Sequence, residues 1–146
     1  MPAFRISDAA FDLQPLRAQL LSQRAGACAS FEGWVRDDNE GRAVLGLTYE
    51  AYTVLAEAEG SAIVAEAVQR FGAIEAVCVH RVGRLGLGEL AVWVGVSAGH
   101  RDAAFSACRW IIDEVKSRVP IWKHEHYAEG SAQWLHPDNG GSLSQG

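Results

Sequence analysis

The order in which two hydrophobic periods follow one another constrains this chain more than any single motif. Apolar residues recur at helical spacing over roughly Leu13 to Gln23 (Leu13, Leu16, Leu20, Leu21), from Leu55 to Phe71 (Ile63, Val64, Ala67, Val68, Phe71), and from about His100 to Arg118 (Ala104, Cys108, Ile111, Val115). Strand-like runs lie between and after them: Ala27 to Arg36, Val44 to Tyr52, the Val-rich Ala73 to Val82 and Leu90 to Ser97, and Ile121 to Tyr127, followed by a short Trp134-Leu135 piece. The polar segment Asp37 to Gly41 has loop chemistry and predicts a hairpin between the first two strands. Gly83 to Gly88 reads as a glycine-punctuated link between the Val-rich pair, and Pro120 ends the third helix. This order lacks the regular alternation of a doubly wound sheet. The expected class is α+β, a mixed, largely antiparallel sheet packed with about three helices.

The 49% hydrophobic and 21% charged composition is that of a folded globular chain. A single domain over residues 1–136 is expected, with the turn-forming stretch Pro137 to Gly146 as a flexible tail. The net charge of −5 has the wrong sign for a broad nucleic-acid face, so an anionic ligand must be small and locally bound. The longest uncharged apolar run, Leu90 to Gly99, is ten residues, against the ~20 a helix needs to cross a bilayer. No membrane span is expected. Asp8 falls where an export signal would be apolar, which points to the cytoplasm. Cys28, Cys78 and Cys108 are widely spaced, with no CxxC pair, and read as reduced, buried thiols. No cluster has metal-ligand spacing. The nearest, His124-Glu125-His126, puts two imidazoles on one strand face and reads as a polar surface strand before a metal site.

The basic residues are eleven Arg and only two Lys, Lys116 and Lys123, which sit seven apart around Pro120. Coding bias accounts for the scarcity, but not for the location. A lysine can give up its proton when desolvated or beside another cation, and can then serve as acid, base or nucleophile, whereas arginine cannot. Two further places stand out. Gly99-His100-Arg101 opens the third helix, where free N–H groups favour an anion, and Arg36 ends a strand. Taken alone, the His100-Arg101 pair reads first as a surface salt bridge and a cap, and Arg36 as part of a solvated hairpin tip.

The three places lie in three longer segments: GACASFEGWVRDDNEGRAVLGLTYEAY from Gly26, HRVGRLGLGELAVWVGVSAGHRDAAFSAC from His80, and IIDEVKSRVPIWKHE from Ile111. Together, over roughly Gly26 to Glu125, they resemble the large, catalytic subunits of molybdopterin synthase. The resemblance implies an α/β-hammerhead fold. It also implies conversion of a cyclic pyranopterin monophosphate to molybdopterin, with two sulfurs taken from the thiocarboxylated Gly-Gly C-terminus of a small ubiquitin-like carrier subunit, in a heterotetramer built on a homodimer. No metal or cofactor is implied. On the same basis Lys116 and Lys123 are expected to be catalytic. Trp34, Val35, Arg36, His100, Arg101, His124 and Glu125 are expected to contact substrate alongside them, with Arg36 and Arg101 on the phosphate. His124 stands where the family often carries another cation, and no Lys or Arg follows Lys123. Rival expectations are a pterin- or nucleotide-phosphate-binding module of the same fold without turnover, a Schiff-base enzyme acting through Lys116, and an interaction protein that uses the stretch Leu87 to Val96 and its tryptophans.

Overall fold

The computed structural model describes residues 3–128 and 134–135. Its elements are β1 (Phe4–Ser7), α1 (Leu13–Leu20), β2 (Ala27–Trp34), β3 (Asp38–Asn39), β4 (Arg42–Ala51), α2 (Thr53–Phe71), β5 (Glu75–Arg81), β6 (Gly83–Gly86), β7 (Leu90–Ala98), α3 (Arg101–Arg118), β8 (Ile121–Tyr127) and β9 (Trp134–Leu135). The expected α+β class holds, with all three helices found where the apolar period placed them. Residues 137–146, read as a tail, lie outside the described residues.

A four-stranded sheet runs β1-β5-β7-β2, with β1 parallel to β5 and the remaining pairs antiparallel. Its central strands are apolar on both sides because both faces are covered. Cys78 of β5 and Val92, Val94 and Val96 of β7 meet the inward stripes of α2 and α3, including Ile63, Val64, Ala67, Ala104, Cys108, Ile111 and Val115. The alternate residues Val77, Val79 and Trp93 meet Leu16 and Leu20 of α1 on the opposite face. Asp12 caps α1, its carboxylate accepting from the Gln14 N–H. The helix stops one residue short of Leu21, whose extended backbone leaves that side chain 82% exposed instead of in the inward leucine face.

The second sheet runs β3-β4-β8-β9, with β6 also pairing β4. Two sequence expectations are corrected here. Ala27–Arg36 and Val44–Tyr52 do not form a hairpin, because β2 pairs with β7 while β4 pairs with β8 and β6. The Asp37 to Gly41 segment instead turns the two-residue β3 back onto the start of β4. The link Gly83 to Gly88 is largely a strand, β6, through which the chain passes directly from the first sheet to the second. The small strand β1 was not visible to the sequence reading. Cys78 and Cys108 are buried as expected, and burial pushes the Cys108 thiol up to about 11, but Cys28 is exposed on edge strand β2. Trp93 is fully buried, whereas Trp34 is 65% exposed. Among the described residues no helix is long and apolar enough to cross a membrane.

One glycine explains how β1 reaches its place. Gly60 sits inside α2, where glycine is intrinsically poor, because the buried Phe4 ring lies where its Cβ would be. Gly60→Ala should therefore lower the unfolding free energy by about 1–2 kcal/mol, overpacking outweighing the better helix propensity. Urea denaturation of the two proteins measures this.

Candidate active site

The chain reversal at the end of α3 creates the site. Val119 caps the helix, and Pro120 cannot continue it. The Ile121 N–H donates to the Val119 carbonyl at 2.8 Å, and the Tyr52 N–H donates to that of Pro120 at 3.3 Å. The last turn of α3 is held to α2 by Arg118, which reaches Glu59 at 2.7 Å, Glu114 at 3.1 Å and Glu66 at 3.5 Å. These pairs are partly exposed and orient the helix end more than they stabilise it. Along β8, Ile121, Lys123 and Glu125 are buried while the alternate side chains are only half-buried. Lys116, from the helix, and Lys123, from the strand, thus line one cavity of about 300 Å³.

The cavity wall is largely apolar, with Phe31, Leu47, Val92, Ile112, Val115 and Ile121, and its charged members are the cations Arg36, Lys116 and Lys123 and the carboxylates Glu32 and Glu125. Lys123 is only 6% exposed. Desolvation holds its ammonium below the ordinary lysine range, Glu125 opposes this, and the charges of Lys116 and Arg36 add to the depression. Lys123 Nζ lies 3.8 Å from Glu125 Oε1. That oxygen also accepts from Asn39 Nδ2 at 3.1 Å and from the Tyr127 hydroxyl at 3.3 Å, and Asn39 Nδ2 reaches the Tyr127 oxygen at 2.9 Å. Tyr49 pairs in register with Lys123. Burial first, and then the Glu125 charge, pushes its phenol above the usual tyrosine range. His80 lines the same cavity, with its ring edge-on to Tyr49 at 4.8 Å and its Nδ1 2.7 Å from the Arg81 carbonyl oxygen.

Of the residues expected in the site, Trp34, Val35, Arg36, Lys116, Lys123 and Glu125 meet at this cavity. Arg36 is exposed just beyond the end of β2. Trp34 is turned largely outward, its indole N–H donating to Glu32 at 3.0 Å. Val35 is buried against Leu47, Leu85 and Ala91. Backbone hydrogen bonds to Gly88 and Glu89, at 2.7 and 3.0 Å, hold it in place. His124 does not line the cavity. It shares the other face of β8 with His126, their rings 5.0 Å apart, and His126 Nε2 lies 2.8 Å from Thr48 Oγ1. Among the described residues no group of three or more His, Cys, Asp or Glu could hold a metal ion. His100 and Arg101 lie in a separate surface depression with Gly26, Ala27, Gly99 and Asp102, at the far end of α3 from Lys116. Fifteen residues of helix separate Arg101 from Lys116, about 22 Å.

Sequence reasoning passed over Asn39, Tyr49, His80 and Tyr127. Asn39 looked like a loop residue, and its burial depends on β3 folding back along β4, from where its amide reaches Glu125 and Tyr127 of β8. His80 carried a signal, a histidine inside an otherwise apolar Val-rich run.

A buried lysine depressed by desolvation, a half-buried lysine and an exposed arginine line one cavity the size of a small molecule, an arrangement suited to acid–base chemistry on a small anion. The family model described as "MoaE protein" matches residues 6–118. A molybdopterin synthase catalytic subunit from Pyrococcus abyssi is 45% identical over 128 residues, covering 88% of this chain and 86% of that protein. The crystal structure of molybdopterin synthase from Staphylococcus aureus superposes with a TM-score of 0.86 at 32% identity, covering 92% of this chain and 98% of that one. The complex of subunits 1 and 2 of molybdopterin-converting factor from Helicobacter pylori shares the fold, with a TM-score of 0.71 at 20% identity, over 87% of this chain and 90% of that one. The chain belongs to the MoaE family of molybdopterin synthase catalytic subunits, enzymes of molybdenum cofactor biosynthesis.

Burial lowers the His80 imidazole from its ordinary 6.5 to about 4, the Lys116 charge adding to this and the Arg81 carbonyl opposing it. Between those values the unfolded chain binds a proton that the folded chain refuses, so stability is lost as pH falls from 6.5 towards 4. The loss should approach about 3 kcal/mol, at ~1.4 kcal/mol per pH unit. Urea denaturation at pH 7, 5.5 and 4 should show a slope that His80→Gln removes.

Proposed function

We propose that this chain converts a cyclic pyranopterin monophosphate to molybdopterin, taking both dithiolene sulfurs from the thiocarboxylated C-terminus of a small ubiquitin-like carrier subunit. The observation that carries this reading is that the chain's two lysines, in a protein that otherwise uses arginine, both line one desolvated cavity with Arg36 at its mouth. The word "subunit" in the names of its relatives supports a partner chain. A cytoplasmic setting suits the reduced Cys78 and Cys108.

Each residue's role follows from its surroundings. Lys116 is half-buried at the helix end and protonates, or stabilises negative charge on, the oxygen that leaves the pterin side-chain carbon as the thiocarboxylate sulfur bonds to it. Water then cleaves the thioester, leaving the sulfur on the pterin and a carboxylate on the carrier. Lys123, held by Glu125, keeps positive charge at the cavity floor, and Arg36 grips the phosphate with paired N–H groups. His100 and Arg101 cannot reach a ligand of this size bound at Lys116 of the same chain. In this reading they act on the substrate of a second copy, across the homodimer on which the heterotetramer is built.

Purified protein with a thiocarboxylated carrier should form molybdopterin from the cyclic pterin phosphate, and Lys116→Ala should lower the rate at least about a hundredfold with the fold intact. Lys116→Arg should be equally poor. Binding of the pterin with no dithiolene formed would instead favour the binding module without turnover. Mixing Lys116→Ala with Arg101→Ala protomers should restore activity towards about one quarter of wild type, since only the mixed dimers carry one intact site each. No recovery on mixing would place both residues on the same site of one chain.

A further inference from the structure

Resting on that reading of the substrate, we propose that His80 is the substrate-selecting residue of the cavity, its Nε2 accepting a hydrogen bond from a ring N–H of the pterin. Arg36, Lys116 and Lys123 are donors only. They recognise phosphate, and would recognise any small phosphate ester in the same way. A pterin differs from such an ester in presenting N–H groups along its ring edge, and these need an acceptor.

The side-chain acceptors of the wall are two charged carboxylates, Glu32 and Glu125, each with one oxygen engaged, the Tyr49 phenol, which also donates, and His80. Glu125 Oε1 already serves Asn39, Tyr127 and Lys123. Glu32 is engaged by the Trp34 indole at the rim. His80 is different. Its Nδ1 faces the Arg81 carbonyl oxygen at 2.7 Å, and a carbonyl can only accept, so Nδ1 carries the hydrogen and the neutral ring keeps its lone pair on Nε2.

The ring is also held in place. It is buried, it stands edge-on to Tyr49, and its strand neighbour across β7 is Val92, another wall residue. The Arg81 side chain is tied to Glu89 at 2.8 Å, and the Glu89 carbonyl receives the Val35 N–H. One short segment therefore fixes the histidine and the strand end that leads to Arg36. A fixed, buried acceptor discriminates strongly, because a ligand without the matching donor leaves it unpaired.

The test measures binding and steady-state turnover of the cyclic pterin phosphate, with inorganic phosphate as a competing ligand. His80→Leu should raise the pterin Kd and KM by about ten- to a hundredfold while leaving the inhibition constant of phosphate within about twofold of wild type. His80→Gln, which can present an oxygen near the Nε2 position, should recover most of the loss. Thermal denaturation identifies any variant that has simply unfolded, and His80→Gln then carries the comparison alone. Unchanged pterin binding in folded His80→Leu would overturn the proposal, as would an equal loss of pterin and phosphate. Failure of the wild-type protein to bind the pterin would overturn the substrate reading instead.

Discussion

The buried pair Lys123–Glu125 is the interaction on which the site depends. Placing an ammonium in an apolar wall costs several kcal/mol unless a partner and further hydrogen bonds compensate it. Here Glu125 supplies the charge, while Asn39 and Tyr127 fix the carboxylate by donating to it. Without that anion, Lys123, Lys116 and Arg36 would line one small cavity with only Glu32, engaged by the Trp34 indole, to offset their repulsion. The arrangement gathers three cations and two carboxylates around one cavity, and burial beside other cations is the condition under which a lysine such as Lys123 becomes a useful acid.

The two sheets divide the work. The four-stranded sheet, sealed by α1 on one face and by α2 and α3 on the other, is the rigid body that aims α3. The second sheet carries β8 and its two inward charges, and β4 joins the parts by pairing with both β6 and β8. Because β6 follows β5 after a single residue, the cavity forms where the chain leaves one sheet for the other. The reversal at Val119-Pro120 then brings a helix-borne lysine and a strand-borne lysine to the same opening. His100 and Arg101, at the other end of the same rigid helix, are thereby directed away from it.

The helices were legible because their apolar stripes are long and strictly periodic, and Pro120 marks a boundary that no packing can override. Strand positions were also legible, but their partners were not. Alternation tells which face of a strand is buried and says nothing of which strand lies beside it, so β2 and β4 looked like a hairpin although their partners are distant in sequence. β6 was hidden by its glycines, which suit a strand threading between two sheets as well as they suit a turn. In the site, the lysines were visible through their scarcity, and the resemblance added Arg36 and Glu125. Asn39 and His80 were not visible, since their importance lies in what tertiary folding places beside them.

Selective carbon-13 labelling of lysine gives two side-chain signals from this chain, and their pH titration by NMR reads the Lys123–Glu125 coupling itself. The Lys123 signal should titrate clearly below 10.5, and lower still in Glu125→Gln, where the compensating charge is gone. Titration of Lys123 at or above 10.5, unmoved by loss of the carboxylate, would contradict this coupling.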